Sequence, residues 1–229
     1  MPKLGQIFAV LIWTGVLFSA DRGRADVAFH LQAGGGAGLV NTGTANLAYG
    51  GHYAVDLEYL WMFSETWCLA IGASGLYGDL IFTQDGVNNR GALTGGGVSL
   101  GLASRSRGGF VMQMSGVYYP YSTFSYVNST TSKVNDTTFK HSSLTTLTGT
   151  APFEARLSFI NENMTGQFSK HERMRTGFVF SYETQTFTQR TIQLDTNSLD
   201  NEPAERVSKD SVNFDLQAVS IRFLVGMAL

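Results

Sequence analysis

Cysteine is almost missing from this chain: Cys68 is the only one in 229 residues. A lone thiol forms no internal disulfide, and its distance from the N-terminus leaves no acylation cysteine behind a leader. Proline is scarce, with 4 residues, which suits long ladders in which each strand residue donates a hydrogen bond. Charge is sparse at 15%, low for a surface that meets water everywhere. No apolar run after residue 25 is long enough to cross a bilayer as a helix, which leaves strands as the way to cross. Basic residues do not dominate. Setting aside Lys3, Arg22, Arg24 and Asp21 leaves 13 basic and 17 acidic residues, a balance that excludes nucleic acid as a partner. His30, His52, His141 and His171 show no metal-ligand spacing, so neither a metal nor another cofactor is expected. Gly34-Gly35-Gly36 and Gly95-Gly96-Gly97 lack the strand–loop–helix setting of a phosphate loop; they read as strand positions where backbones approach closely.

What is present begins with a leader. Lys3 precedes an apolar stretch from Ile7 to Phe18, and Gly23 and Ala25 supply the small residues of a cleavage site. The expectation is a secretory signal peptide over 1–25. Residues 26–229 are then one domain.

Within that domain the dominant signal is alternation. Residues 52–63 place Tyr53, Val55, Leu57, Tyr59, Trp61 and Phe63 on one face, and His52, Ala54, Asp56 and Glu58 on the other. Successive side chains of a strand point to opposite faces, so one face is an aromatic and aliphatic wall and the other carries carboxylates. Similar segments recur. Eight strands are predicted: about 27–38, 51–63, 66–78, 92–104, 109–120, 147–160, 173–187 and 212–229. In the last, Val219 through Leu229 alternate outward, while Phe214 and Leu216 have the opposite parity, so a bulge or rim position is predicted near Ala218. Repetition of one apolar and one polar face points to a closed, antiparallel, up-and-down transmembrane β-barrel with eight strands. The mean hydropathy of −0.01 agrees, since only every second barrel residue faces lipid.

Connection lengths alternate as well. Segments 64–65 and 105–108 read as tight turns and 161–172 as a moderate one. Segments 39–50, 79–91, 121–146 and 188–211 read as long loops, the last two extending their flanking strands as hairpins. Short turns belong on the periplasmic side and long loops outside. Trp61, Phe63 and Trp67 flank a short turn. Tyr118, Tyr119 and Tyr121 flank a long one, and with Tyr53 these aromatics are predicted to form interfacial girdles.

The inward face carries His30, Asp56, Glu58, Glu154, Arg156, Arg175, Glu183 and Arg222, with His52. Eight strands enclose an interior that side chains can fill, and charges there must pair or stay hydrated. A salt-bridged plug is the expectation; a narrow gated pore lined by the same residues is the alternative.

On these alternating segments the chain resembles the small bacterial outer-membrane barrels of the OmpA-like, OmpX-like and OmpW-like group. The resemblance implies outer-membrane lipid and lipopolysaccharide as surroundings, and a last strand read by the barrel-assembly machinery. Family members usually end in an aromatic residue; here Ile221, Phe223, Val225 and Met227 alternate but the chain ends in Leu229. A second likeness, to lipid A 3-O-deacylases, rests on His141-Ser142-Ser143 with Glu154. It departs from that family at Leu144, and the spacing from His141 turns Glu154 toward the lumen. The reading is a monomeric, non-enzymatic integral outer-membrane protein with a structural or surface-interaction role and an extracellular ligand at its loops. The alternatives are a narrow channel for small polar or amphipathic solutes and, third, a lipid A-modifying enzyme.

Overall fold

The computed structural model describes residues 25–41, 45–84, 87–134, 137–163, 173–196 and 206–229; the leader up to residue 24 lies outside them. Eight strands follow in chain order: β1 Ala25–Asn41, β2 Ala45–Met62, β3 Trp67–Gln84, β4 Val87–Arg105, β5 Phe110–Val134, β6 Thr137–Asn163, β7 Arg173–Thr196 and β8 Arg206–Ala228. Each pairs antiparallel with the next, and β1 pairs with β8 from Ala28↔Ala228 to Asn41↔Asp215, closing the barrel. The expected fold class holds, with eight strands.

The strands run well past the segments in which alternation is visible. Residues 39–41, 45–50, 79–84 and 87–91, expected within long loops, are strand instead: β1 and β2 stay paired to Asn41↔Ala45, and β3 and β4 to Gln84↔Val87. The ladder is held by backbone hydrogen bonds, so it continues where the side chains no longer alternate between apolar and polar. The hairpins expected in 121–146 and 188–211 are present, with pairing up to Val134↔Thr137 and Leu194↔Arg206. Pairing of β4 with β5 ends at Gly91↔Tyr126. The upper parts of β5, β6, β7 and β8 therefore rise above the barrel as a four-stranded crest.

At the opposite end the connections are tight. Ser64 Oγ accepts from the backbone N–H of Trp67 at 2.9 Å and of Thr66 at 3.3 Å. Ser106 Oγ accepts from the N–H of Phe110 at 3.1 Å, and Gly109 turns the chain with φ of 81°. Residues 164–172, between β6 and β7, lie outside the described residues.

The bulge expected near Ala218 is absent. Gly38↔Ala218 and Glu183↔Ala218 continue both ladders without a shift. Phe214 and Leu216 point inward with Ala218, Ser220 and Arg222, all buried. Their parity is regular; it is the inward face that changes from polar to apolar as the strand climbs. The register shifts lie elsewhere, between Gly96 and Val98 on β4 against β5, at Thr148/Gly149 and Thr150/Phe153 on β6, and at Phe187/Gln189 on β7. The β5–β6 ladder also lapses between Tyr118↔Phe153 and Thr123↔Thr148. Pro120 and Pro152 lie in that interval and have no N–H to give to the ladder.

Two apolar layers cap the lumen. The upper one is aromatic: Phe124 packs on Phe82, Phe187 and Phe214 with ring centroids 5.5–6.2 Å apart, and Tyr126 meets Phe82 edge-on at 5.2 Å. The lower one gathers Cys68, Ala103, Val111, Ile160, Val179 and Leu224. The outer wall is the reverse of a soluble surface, with Leu31, Leu57, Leu100, Met114, Phe178 and Ile221 all exposed. Surfaces of soluble monomers rarely present apolar patches this continuous.

Candidate functional site

Between the two apolar layers lies a polar belt built from alternate residues of all the strands. Its centre is Arg156 on β6. Nη1 donates to Asp56 Oδ1 of β2 at 2.8 Å. Nη2 donates to Glu154 Oε2 at 2.8 Å, Tyr119 Oη at 2.8 Å and Ser74 Oγ at 2.9 Å. Glu154 also receives Arg222 Nη2 from β8, and the Tyr119 hydroxyl at 2.5 Å. Asp56 accepts from Ser74 Oγ at 2.6 Å and from Gln32 Nε2. Arginine has donors only and an ionised carboxylate acceptors only, so each contact completes a partner that burial would otherwise leave costly.

A second cluster sits below it. Arg175 Nη1 donates to His30 Nε2 at 2.7 Å, and Arg175 Nε lies 3.1 Å from Glu162. The remaining ring nitrogen of His30, Nδ1, faces Glu58 at 3.6 Å, and Gln113 Nε2 donates to Glu58 at 2.9 Å. At the mouth, Arg105 and Arg173 share Glu162 and Asp26. Glu183 stands apart. It receives Gln185 Nε2, and His52 Nδ1 lies 4.0 Å away.

The structure thus places all eight inward residues named from the sequence, together with His52, inside the lumen, each buried. Asp26, Arg105, Glu162, Arg173 and Tyr119 join them and were not foreseen. Four of these could have been found by carrying the strand parity one step further. Asp26 continues Ala28 and His30, Arg105 continues Ala103, Glu162 continues Ser158, and Arg173 precedes Arg175. Asp26, Arg105 and Glu162 fell outside because the predicted strands stopped short or because turns were assigned to their positions, whereas Arg173 opens the predicted strand 173–187 and was not carried into the inward set.

Tyr119 is a correction. It was grouped with Tyr118 and Tyr121 as a girdle residue, yet it is 0% exposed and reaches the Glu154–Arg156 pair. Tyr118 and Tyr121 both face outward, Tyr121 at 65% exposure, because the extra β5 residue opposite Gly96/Val98 flips the parity between them. Tyr53, Trp61, Phe63 and Trp67 are also exposed on the outer wall, and the Tyr53 ring lies 6.0 Å from that of Tyr77.

The belt leaves little room. A small cavity within it, about 10 Å³, is bordered by His30, Gln32, Asp56, Glu58, Gln113 and Arg156, enough for about one water. Above the apolar part of the wall, Arg90 Nε donates to Asp79 Oδ1 at 2.8 Å on the outer surface and holds that carboxyl below the usual range. His141 and Ser142 have side chains outside the described residues. Ser143 and Glu154 are on one strand, about 35 Å apart at the rise of an extended chain, so the structure does not bring the hydrolase-like residues together. Among the described residues no group of His, Cys, Asp and Glu gathers to hold a metal.

An antiparallel, closed, eight-stranded barrel with an apolar wall and a polar, filled interior belongs to the class of small transmembrane β-barrels. No protein-family model matches the chain, and no curated protein does. Among solved structures it is similar to Neisserial surface protein A, at 8% identity and a TM-score of 0.44 over 88% of this chain and 97% of that one. It is similar to a major outer membrane protein from Thermus thermophilus, at 12% identity and 0.45 over 86% and 99%. A third is the outer membrane protease OmpT from Escherichia coli, at 7% identity and 0.45 over 92% and 97%.

Proposed function

We propose that this chain is an integral protein of the bacterial outer membrane whose barrel is a sealed scaffold and whose crest and hairpins outside the membrane carry a surface-interaction role. The observation that carries this is the filling of the lumen: an aromatic layer, a paired polar belt and a second apolar layer lie in series across it. A conducting path would need a continuous wetted route; the aromatic layer interrupts it above, and beside the lower apolar cluster the space is taken by paired side chains, with Arg175 joining His30 to Glu162. The apolar wall faces lipid. The aromatics near the tight turns, Trp61, Phe63 and Trp67, lie at the periplasmic interface, and Tyr53, Tyr77, Tyr118, Tyr121 and Tyr182 at the outer one. Termini and tight turns are then periplasmic, and the crest of β5–β8 faces the environment. Lipopolysaccharide surrounds the outer rim, and the alternating β8 is the strand offered to the assembly machinery.

The test is the refolded chain in a planar bilayer. Insertion without conductance is expected. Steady, ion-selective openings would overturn the sealed-scaffold reading and make the charged belt a pore lining.

A further inference from the structure

The charges of the lumen do not balance. Around its centre four carboxylates, Asp56, Glu58, Glu154 and Glu183, face three guanidiniums, those of Arg156, Arg175 and Arg222, all buried. At the mouth Asp26 and Glu162 are matched by Arg105 and Arg173. Among the described residues the interior is therefore one positive charge short if every acid is ionised and both histidines are neutral. A net charge held between two apolar layers is costly.

The hydrogen bonds show where the missing charge fits. Asp56 and Glu154 are held by guanidiniums. His30 is not available as a cation, because its Nε2 must accept the N–H of Arg175, which can only donate. That leaves the proton of His30 on Nδ1, 3.6 Å from Glu58 Oε2, while Gln113 donates to the other oxygen; Glu58 stands opposite Ala28 and Gly72, with no anion in either cross-strand position. Among the described residues Glu58 has no guanidinium within ion-pair distance, and neither has Glu183. Glu183 is the direct cross-strand partner of Glu154, and like charges in that position repel. The other groups facing it are Gln185 on its own strand, His52 of β2 at 4.0 Å, and, at longer range, Arg156 of β6 and Arg222 of β8. Among the described residues the buried Nε2 of His52 has no partner.

We infer that the His52–Glu183 pair is a proton-binding site that holds one proton beyond those of a neutral imidazole and an ionised carboxylate, and that this proton completes the charge balance of the lumen. Whether it rides on the carboxyl or on the ring, the pair is neutral as a unit. Its loss would set a second anion directly opposite Glu154. The inference concerns the interior alone and is independent of the surface role proposed above.

The test is the stability of the refolded, vesicle-inserted barrel against pH. The folded state then binds one proton more than the unfolded chain at alkaline pH, so stability falls as pH rises. Between about pH 6.5, where the imidazole of the unfolded chain loses its proton, and the point where the folded pair gives up its own, the folding constant should drop about tenfold per pH unit, and above that point it should level off. Glu183→Gln removes the acid and keeps the shape, and should flatten this dependence and leave the variant more stable than the parent at alkaline pH. An infrared carbonyl band of a protonated carboxyl that vanishes in Glu183→Gln, or an imidazolium signal from His52 in nitrogen-labelled protein, supports the site and locates the proton. A parent barrel with no such pH dependence overturns it. So does a dependence that Glu183→Gln leaves intact, or one that added sodium ions abolish, which would make the missing charge a metal cation.

Discussion

Arg156 donates to four side chains on β2, β3, β5 and β6, and no apolar side chain can take its place without leaving buried acceptors behind. Asp56 would lose its only guanidinium, and Glu154 would keep Arg222 alone. Removing one member of a buried pair costs about 3–5 kcal/mol, because the remaining charge stays desolvated. Arg156→Met should therefore lower the urea midpoint of the folded barrel in vesicles by a corresponding amount. Arg90→Met is the contrast. Its partner Asp79 lies on the exposed outer surface, where an ion pair contributes little, and the midpoint should hardly move. Equal losses for the two variants would contradict the assignment of the belt as the principal polar stabiliser.

At the scale of the strand, closure depends on how near β1 can come to β8. A Cβ on Gly34 would run into the carbonyl oxygen of Ile221 and the Cα of Arg222, whereas on Gly35 the nearest atom is the Gly50 carbonyl oxygen at 3.6 Å. The two glycines are adjacent, so the difference is one of face. Gly34→Ala should destabilise the folded barrel by about 3 kcal/mol, the upper end for overpacking, and reduce the folded band on an unheated gel. Gly35→Ala should fold like the parent. The register shifts belong to this scale too. They gather on β4–β8 near the level at which the inner face turns from polar to apolar, and Pro120 and Pro152 lie within that zone. Bulges increase local twist and bend the strand that carries them, which accounts for four strands leaving the barrel wall together to form the crest.

For the whole molecule, the order of layers decides transport. The upper aromatic cluster and the polar belt are in series, so opening one does not open the other. Phe124 touches Phe82, Tyr126, Phe187 and Phe214, and Phe124→Ala should cost about 3–5 kcal/mol as a large-to-small core change. The variant barrel should nevertheless remain electrically silent, since the paired belt and the lower layer still fill the lumen. Conductance on removal of this one ring would show that the aromatic layer alone is the seal.

Alternation by itself determined the class, the strand count and the inward charges of the middle of each strand, because lipid on one side and a filled lumen on the other impose opposite polarity at every second residue. His30, Asp56, Glu58, Glu154, Arg156, Arg175, Glu183 and Arg222 all obey that rule. It fails wherever both faces have one polarity. Phe214 and Leu216 looked out of phase because the upper lumen is as apolar as the wall, and residues 39–50 and 79–91 looked like loops because the pattern fades while the ladder persists. Only the tertiary structure decided which carboxylate meets which guanidinium. Partners such as Arg156 and Asp56 come from strands β6 and β2, far apart in the chain, and register and closure alone bring them to one level. Tyr119 keeps the inward parity of Gln113 and Val117, and register leaves Glu183 beside His52 where Asp56 and Glu154 have arginine.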